Sequence, residues 1–398
     1  MIEVTDKSRC CGCSACSLKC PKNCIEMKAD KEGFLYPVVN KESCIDCGLC
    51  EKVCPVLCSE PEKEFSQTAY LVQNKDQEVL GQSTSGGAFT AIALSVIEKG
   101  GVVFGAAFDD DFNVFHTYAE TAEDLRKFRN SKYVQSDIRG AYKDVLRFLK
   151  DGRNVLFSGT PCQAEGLYRF LGKKYDDLII VDTVCRAVPS PELWKKYLEY
   201  RRKDSSEKPV YAAFRDKSRY GYQYSQMHIK FDSGREYYSG VETDPYLRAF
   251  FNDLSDRPSC HECAFKKRYR ISDITVWDCF NVSLIDKSMD NNRGVTRMLV
   301  HTEAGDKLVS SLKNVRLVSV DPDVAVNKSK ELVKATEKNQ RREEFFSDFE
   351  NMEMEQLIKK WFPDKIKVKL ERFTRRFLAR TGLYRIAKKT ARKVVGKD

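Results

Sequence analysis

The chain has 398 residues, with 68 Lys or Arg, 58 Asp or Glu and a formal net charge of +10. This length exceeds one ordinary domain and predicts two or three, each large enough to bury a core. The longest largely apolar stretch, residues 88–97, contains two hydroxyl side chains and is too short to cross a bilayer.

The first six residues show neither the basic nor the apolar segment of a secretory signal, so we expect a cytoplasmic protein. Cytosolic thiols are kept reduced, and the 16 cysteines are therefore not expected to form a disulfide framework. Eleven of them precede residue 59, which marks the start of the chain as a module of its own.

That cysteine-rich head contains one motif twice. The spelling C-x2-C-x2-C-x3-C-P occurs at Cys10, Cys13, Cys16, Cys20 and Pro21, and again at Cys44, Cys47, Cys50, Cys54 and Pro55. Three cysteines on a tight loop can reach three irons of one [4Fe-4S] cubane, and the cysteine before proline ligates the other cluster. We therefore predict two clusters, the first on Cys10, Cys13, Cys16 and Cys54, and the second on Cys44, Cys47, Cys50 and Cys20.

The alternatives for the head are zinc or a disulfide knot. Zinc sites usually come as two C-x2-C pairs, without a third cysteine at the next step or a C-P ending. Three further cysteines, Cys11, Cys24 and Cys58, are interpreted as small packing residues beside the clusters. Residues 1–58 resemble a bacterial two-cluster ferredoxin, and residues 33–39 are predicted to form a hairpin strand that covers the clusters.

The body alternates strands and helices. Strands are predicted at 69–72, 102–108, 155–158 and 178–184, and this alternation favours a mainly parallel α/β sheet. Ligands on such sheets gather at the carboxyl ends of strands, where Cys162 and Cys185 stand. Ser85, Gly86 and Gly87 open a helix and could hold a phosphate on free backbone N–H groups, although the same residues also serve as a plain helix cap and turn.

Several body motifs occur in the order of a known family. They are Ser85–Gly87, Ser131–Ser136, Gly159–Gln163 with Thr160, Val188–Pro191, Phe214–Lys217, and Cys260-x2-Cys263 followed by Ser272–Thr275. Together they resemble the coenzyme F-420 hydrogenase/dehydrogenase beta-subunit family, over roughly residues 1–310. The resemblance implies an iron–sulfur flavoprotein that passes electrons between clusters, FAD and a two-electron partner.

The resemblance also implies site residues. It places FAD near Ser85, Gly86, Gly87, Lys132, Tyr133, Gln135 and Thr160. It makes a third [4Fe-4S] cluster plausible on Cys162, Cys185, Cys260 and Cys263, for which a zinc site or loosely associated buried thiols are the alternatives. His261 is interpreted as an exposed spacer between two of these cysteines.

The chain departs from the family pattern at two places. Arg186 and Ala187 follow Cys185 where the family usually has His-Gly, and residues 276–281 replace a glycine-rich run while keeping Asp278. Side chains in place of glycines prevent close backbone approach, so the substrate pocket is expected to be reshaped. Asp278 is the candidate catalytic residue.

The tail is basic. Residues 365–398 hold 13 Lys or Arg against two acidic residues, and Ile366, Leu370, Phe373 and Phe377 recur at helical spacing after Pro363 breaks a charged helical run from about residue 328. A basic amphipathic helix can lie on an anionic membrane surface, and the alternative is a helix that packs on its own body. We expect peripheral attachment at the inner face of the membrane through residues 365–398. No nucleic-acid partner is expected, because no reading motif accompanies the charge.

These observations predict an α+β ferredoxin-like dicluster head, a mainly parallel α/β body and a basic helical tail. The boundaries are 1–60 for the head, 61–185 for the flavin-binding part, 186–325 for the part with CxxC and 326–398 for the tail. The predicted function is an oxidoreductase that passes electrons from ferredoxin or another redox donor through clusters and FAD to a two-electron acceptor. Two alternatives stay open: a non-enzymatic electron-transfer subunit that feeds a separate catalytic partner, and a redox sensor or scaffold.

Overall fold

A computed structural model of the chain describes residues 1–384, 386, 387 and 390. The strands in this part are β1 Ile25–Ala29, β2 Leu35–Val39, β3 Thr68–Asn74, β4 Val102–Phe108, β5 Val114–Ala119, β6 Val155–Gly159, β7 Leu178–Thr183, β8 Pro209–Asp216, β9 Gln226–Phe231, β10 Glu236–Ser239, β11 Ile274–Asp278, β12 Thr296–Val300 and β13 Val315–Val320. The helices are α1 Ala15–Lys19, α2 Leu49–Lys52, α3 Gln77–Gln82, α4 Ala88–Ile97, α5 Ala141–Lys150, α6 Pro161–Leu171, α7 Pro191–Arg201, α8 Pro245–Phe251, α9 Val282–Ile285, α10 Glu303–Ser310, α11 Pro322–Val326, α12 Lys330–Val333, α13 Arg342–Asn351, α14 Met354–Trp361 and α15 Ile366–Arg380.

The head is built from the β1–β2 hairpin and two short helices. β1 and β2 pair antiparallel with Ile25 opposite Val39, which confirms the predicted hairpin strand. α1 and α2 each begin after a residue in the left-handed region, Ser14 with φ 62° and Gly48 with φ 70°. Both residues follow the second cysteine of their motif, so the sequence repeat is also a repeat of local conformation.

The body is organised around an eight-stranded sheet in the order β13-β3-β12-β11-β7-β6-β4-β5. The four strands β11, β7, β6 and β4 run parallel to one another, whereas the other strands pair antiparallel. The expectation of a mainly parallel sheet is therefore wrong at both flanks, and the sheet is mixed. At one flank the reason is local, because the five residues 109–113 between β4 and β5 are too few for a parallel crossover.

The large sheet takes β3 to β7 from segment 61–185 and β11 to β13 from segment 186–325. The two segments thus share one sheet across the boundary predicted at residue 185. Between them in the chain, β8, β9 and β10 form a separate antiparallel sheet, which the sequence patterns did not predict.

The head packs into the body through two apolar clusters. Cys13 and Ala15 lie in one cluster with Tyr142 of α5 and Leu167 of α6. Phe34 lies in the other, whose members also come from α7, the smaller sheet, α8, α13 and α14. Burial on this scale is the main favourable contribution to folding, and here it fixes the head against the carboxyl ends of the parallel strands.

The C-terminal region is helical, as predicted, but the charged run before Pro363 is three separate helices, α12, α13 and α14. α13 buries Phe345 and Phe349 in the body. None of the helices in the described part of the chain is long and apolar enough to cross a membrane. Within the predicted tail, residues 385, 388, 389 and 391–398 lie outside the described residues.

Candidate metal centres and the adjoining polar site

The first set of head cysteines is gathered inside the head. Cys16 lies within electrostatic reach of both Cys10 and Cys54, and Cys13 lies within reach of Cys10 and Cys16. Burial, followed by the neighbouring thiols, raises the pKa of Cys16 to about 12. Cys54 comes from the second motif and is a neighbour of Cys16 of the first motif, and its role as the fourth ligand of the first cluster stays a prediction.

The second set surrounds a cavity. Cys20, Cys44, Cys47 and Cys50 line it, and its empty volume is about 350 Å³ including the open mouth. Two backbone N–H groups donate to sulfur there, Ile2 to Cys50 Sγ at 3.3 Å and Asp46 to Cys44 Sγ at 3.4 Å. Donors of this kind stabilise thiolates, so this cavity has the surroundings that a thiolate-bound cluster needs.

Cys24 is a fifth cysteine in the same cavity. Its sulfur lies 3.3 Å from that of Cys20, so it is closer to the predicted ligands than a packing residue has to be. The sequence offers one indication of this position, because Cys24 stands four residues after Cys20, the cysteine that precedes proline in its motif.

The third set of cysteines lines one pocket between the head and the carboxyl ends of β6 and β7. Cys162 is the second residue of α6, Cys185 follows β7, and Cys260 and Cys263 lie on the loop after α8. The pocket has about 590 Å³ of empty space including its mouth. The structure thus brings together four cysteines that lie between positions 162 and 263 of the sequence.

In the residues that the structure describes, no three His, Cys, Asp or Glu side chains come close enough to hold a single metal ion. The third cluster on these four cysteines stays a prediction, and so does the zinc alternative.

Positive side chains lie around this pocket. Arg186, Arg257 and Lys266 line it, and Lys266 Nζ donates to the backbone oxygen of Cys185. A cluster with four thiolates carries net negative charge, which these cations would offset. The nearby Arg270 instead forms a buried ion pair with Asp182 at 3.0 Å.

Cys11 joins the first cysteine set to the third. It is buried, lines the third pocket, and its side chain interacts with those of both Cys13 and Cys162. The sequence alone indicates only a packing residue, because Cys11 does not stand at one of the cysteine positions of the C-x2-C-x2-C-x3-C-P motif. Its role as a contact between two candidate centres depends on the docking of the head.

Arg257 is the second residue that sequence reasoning missed. It is fully buried, its Nε donates to Cys10 O at 2.7 Å, and its Nη2 donates to Leu35 O at 2.9 Å and faces Cys10 Sγ at 3.6 Å. Its Nη1 donates to Gln135 Oε1 at 2.9 Å. A Cβ on Gly12 would lie 2.8 Å from Arg257 Nη1, so glycine is needed for this close approach. The guanidinium therefore connects a predicted cluster ligand to the body.

A polar site lies at the end of β11. Asp278 accepts hydrogen bonds from Arg215 Nη1 at 3.0 Å and from the Tyr222 hydroxyl at 2.9 Å. Arg215 also donates to the Tyr133 hydroxyl at 3.3 Å, and its Nη2 is buried with no hydrogen-bond partner in the described structure. A buried guanidinium nitrogen without a partner is costly, and an anionic ligand would satisfy it.

Lys217 completes this polar site. Its Nζ donates to Ser85 O at 2.8 Å and to Arg293 O at 2.6 Å. Burial, followed by repulsion from Arg215, lowers the pKa of Lys217 to about 7. The site thus holds a fixed cation and a group that can exchange its proton near neutral pH.

The predicted flavin residues lie in different places. Ser85 and Tyr133 lie at the polar site, through the bonds described above. Gly86 and Lys132 use their polar groups within the fold. Gly86 N donates to Thr296 Oγ1 at 2.9 Å, and Lys132 Nζ donates to the backbone oxygens of residues 127, 129 and 130.

Two further predicted flavin residues lie beside the cysteines. Gln135 Nε2 donates to Cys11 O at 3.0 Å, and Thr160 Oγ1 lies 3.1 Å from Cys162 Sγ. Thr160 also caps α6 in a reciprocal arrangement with Gln163. Both residues therefore belong to the surroundings of the third cysteine pocket.

A short run of contacts connects this pocket to the polar site. The Arg186 guanidinium lies 6.0 Å from the ring of Phe251, and that ring packs edge-on against Tyr133 with centroids 6.1 Å apart. Tyr133 in turn bonds Arg215. Cys16 of the first set also lies within electrostatic reach of Cys50 of the second set. The three cysteine sets and the polar site therefore follow one another through the molecule as a series of neighbouring groups.

Comparisons with known proteins find similarity for two parts of the chain. Residues 9–58 match the 4Fe-4S dicluster domain, and residues 152–324 match the family described as the C terminus of the coenzyme F420 hydrogenase/dehydrogenase beta subunit. The curated proteins contain no significant match to the chain. A chain in a xenon-derivatised structure of the F420-reducing [NiFe] hydrogenase complex from Methanosarcina barkeri is 16% identical, with a TM-score of 0.43 over 67% of this chain and 89% of that one.

Proposed function

We propose that the chain is an iron–sulfur oxidoreductase subunit, because residues 9–58 match the 4Fe-4S dicluster domain and residues 152–324 match the C terminus of the coenzyme F420 hydrogenase/dehydrogenase beta subunit. In this proposal a ferredoxin-type donor reduces the head, and electrons leave to a two-electron acceptor at Arg215 and Asp278. The observation that carries it is the series of neighbouring groups from the head cysteines through Cys11 to the polar site.

In this proposal electrons enter the protein at the clusters of the head cysteines. Cys47 is exposed, so the second cluster lies nearest to a donor that docks from solution. The first set is buried and contacts the third pocket through Cys11. Arg257 holds the head in this orientation by donating to the backbone oxygens of Cys10 and Leu35.

The polar site binds the acceptor in this proposal. Arg215 offers its unpartnered Nη2 to an anionic group, and Asp278 and Tyr222 fix the orientation of that guanidinium. Lys217 supplies or takes up the proton that accompanies two-electron reduction, since its pKa is about 7.

We also propose that FAD binds beside this site. A flavin exchanges electrons singly with clusters and in pairs with organic acceptors. Tyr133 and Arg215 are the residues that would hold it, because Ser85, Gly86 and Lys132 already use their donors within the fold.

Metal and flavin analysis of the intact chain, purified without oxygen, tests the proposal. We expect about twelve irons per chain, four for each of three cubanes, together with bound flavin. Cys185→Ser should remove about four irons and leave the head clusters intact. About eight irons without flavin in the unsubstituted chain would instead favour a carrier subunit that feeds a separate enzyme.

Asp278→Asn tests the acceptor site. We expect the head clusters to be reduced as before, while reduction of coenzyme F420, followed by its visible absorbance, slows by about a hundredfold. Glu303→Gln is the control, because Glu303 is an exposed residue at the start of α10 whose carboxylate pairs with Lys307 and not with a residue of the polar site. Equal rates for the two variants would contradict the assignment.

A further inference from the structure

The apolar stripe of α15 faces solvent. Ile366, Leu370, Phe373 and Phe377 recur every three or four residues and are 84, 63, 68 and 55% exposed. The rings of Phe373 and Phe377 stack with centroids 6.4 Å apart. Scattered exposed apolar residues are normal on a protein surface, but a continuous row along one helix face marks an interaction site.

The opposite face of α15 touches the body. Val368 and Leu378 are half-buried, and Arg375 Nη1 lies 4.0 Å from Glu242 Oε2. Just beyond the Gly382 turn, the ring of Tyr384 stacks on Tyr224 at 5.1 Å. The helix is thus fixed to the body by its more polar face, which leaves the apolar stripe turned outward.

The charge of α15 identifies the kind of surface that covers the stripe. The helix has six Lys or Arg and one Glu, a net charge of +5. Lys369 and Arg380 are exposed and lie at a spacing that places them beside the stripe. An apolar row bordered by cations is complementary to a bilayer surface with anionic headgroups, where the rings enter the acyl boundary and the cations meet phosphate.

We propose that α15 docks this protein on an anionic phospholipid surface, with the stripe Ile366, Leu370, Phe373 and Phe377 in the interface. The helix lies along the surface, because 15 residues with seven charges cannot span it. This inference is independent of the proposed redox reaction, since it rests on exposure and charge alone.

Docking would bring the polar site close to the membrane. Tyr222 and Tyr224 belong to one three-residue turn, in which Tyr222 bonds Asp278 and Tyr224 contacts Tyr384. The anchoring point of the tail is therefore two residues from a side chain of the polar site.

Vesicle flotation of the full chain tests the proposal. We expect the protein to float with vesicles of phosphatidylglycerol and phosphatidylcholine and much less with phosphatidylcholine alone. Phe373→Ala with Phe377→Ala should weaken binding at least about tenfold, because two aromatic side chains leave the interface. Alanine favours the helix more than phenylalanine does, so unfolding of α15 would not account for the loss.

Two further variants sharpen the result. Lys369→Gln with Arg380→Gln should weaken binding to the anionic vesicles by roughly tenfold or more. Val210→Ala with Val333→Ala removes two other exposed apolar side chains, 58 and 55% accessible, and should bind as the unsubstituted chain does.

Equal binding of the Phe373 and Phe377 variant and the unsubstituted chain would overturn the proposal. Failure of the unsubstituted chain to bind either kind of vesicle would also overturn it. One such case is a chain that instead forms a dimer, which the same phenylalanine substitutions dissociate. In that case a second copy, and not a lipid surface, covers the stripe.

Discussion

Two cysteines of the head lie where one ligand is needed. The sulfurs of Cys20 and Cys24 are 3.3 Å apart in the cavity that Cys44, Cys47 and Cys50 also line. The C-P motif assigns Cys20 as the ligand, because the proline step turns that cysteine toward the second cluster.

We predict that Cys20→Ala loses the second cluster, about four irons per chain, whereas Cys24→Ala retains it. Iron analysis and electron paramagnetic resonance of the reduced proteins measure the difference. The two variants share one cavity and one type of substitution, so each is the control of the other. Loss of iron from the Cys24 variant alone would reverse the ligand assignment.

The roles of some residues can be predicted from the sequence, and the roles of others cannot. Cys10 and Cys54 are assignable because the ligand pattern of a cubane is local and repeats. Cys11 and Arg257 carry no such pattern, and their roles arise from contacts that exist only after the head has docked. The orphaned Nη2 of Arg215 is a property of packing, which no sequence motif specifies.

At the scale of elements, strands β3, β11 and β12 are joined by a buried polar network. His301, directly after β12, accepts a hydrogen bond at Nδ1 from Gln67 at 2.9 Å, and its Nε2 lies 2.8 Å from Thr275 Oγ1. Thr275 in turn donates to Asp182 at 2.7 Å. This arrangement requires a neutral imidazole, and burial, followed by repulsion from Arg270, lowers the pKa of His301 to about 3.

We predict an acid-sensitive stability that depends on His301. Its folded pKa lies below the ordinary value of 6.5, so between pH 6.5 and about 3 the unfolded chain binds a proton that the folded chain does not. The contribution of His301 to the free energy of unfolding therefore keeps its full value above pH 6.5, and below pH 6.5 it decreases by about 1.4 kcal/mol per pH unit. Urea unfolding at pH 7, 6 and 5 should therefore show a shallower decline for His301→Gln, and parallel curves would contradict this account.

The elements show which parts of the fold the sequence determines. β4 is predictable at Val102–Phe108 because all but one of its seven residues are apolar, as a strand buried on both faces requires. The smaller sheet was missed because its strands do not alternate between exposed polar and buried apolar residues: β8 exposes Val210, and β9 buries Gln226 and His228. The antiparallel flank of β12, β3 and β13 was missed because β12 and β13 pair with β3, more than 200 residues earlier in the chain.

At the scale of the whole molecule, Arg257 is one of the buried polar connections between head and body, beside the ion pair of Arg342 with Glu32. It is fully buried and bonds Cys10 and Leu35 in the head and Gln135 in the body. We predict that Arg257→Met destabilises the intact protein by about 3 kcal/mol, because the buried acceptors lose their donor. Thermal unfolding followed by circular dichroism measures this change.

The same substitution should lower the midpoint potential of the cluster that Cys10 ligates. A cation and donor beside a ligand sulfur favours the reduced cluster, which carries the extra negative charge. Redox titration followed by electron paramagnetic resonance detects the shift, and Arg153→Met, a more accessible arginine, is the matched control. A potential that moves no further than in this control would show that the guanidinium has a purely structural role.

The turn Tyr222–Tyr224 joins the polar site to the anchoring point of α15. Interaction free energies between two binding sites are reciprocal, so neither site can influence the other in one direction only. If a bound acceptor rearranges this turn and thereby tightens the attachment of the tail, the attached tail must tighten acceptor binding by the same factor. The acceptor would then be held more firmly on a surface than in solution, and membrane recruitment would itself regulate the reaction.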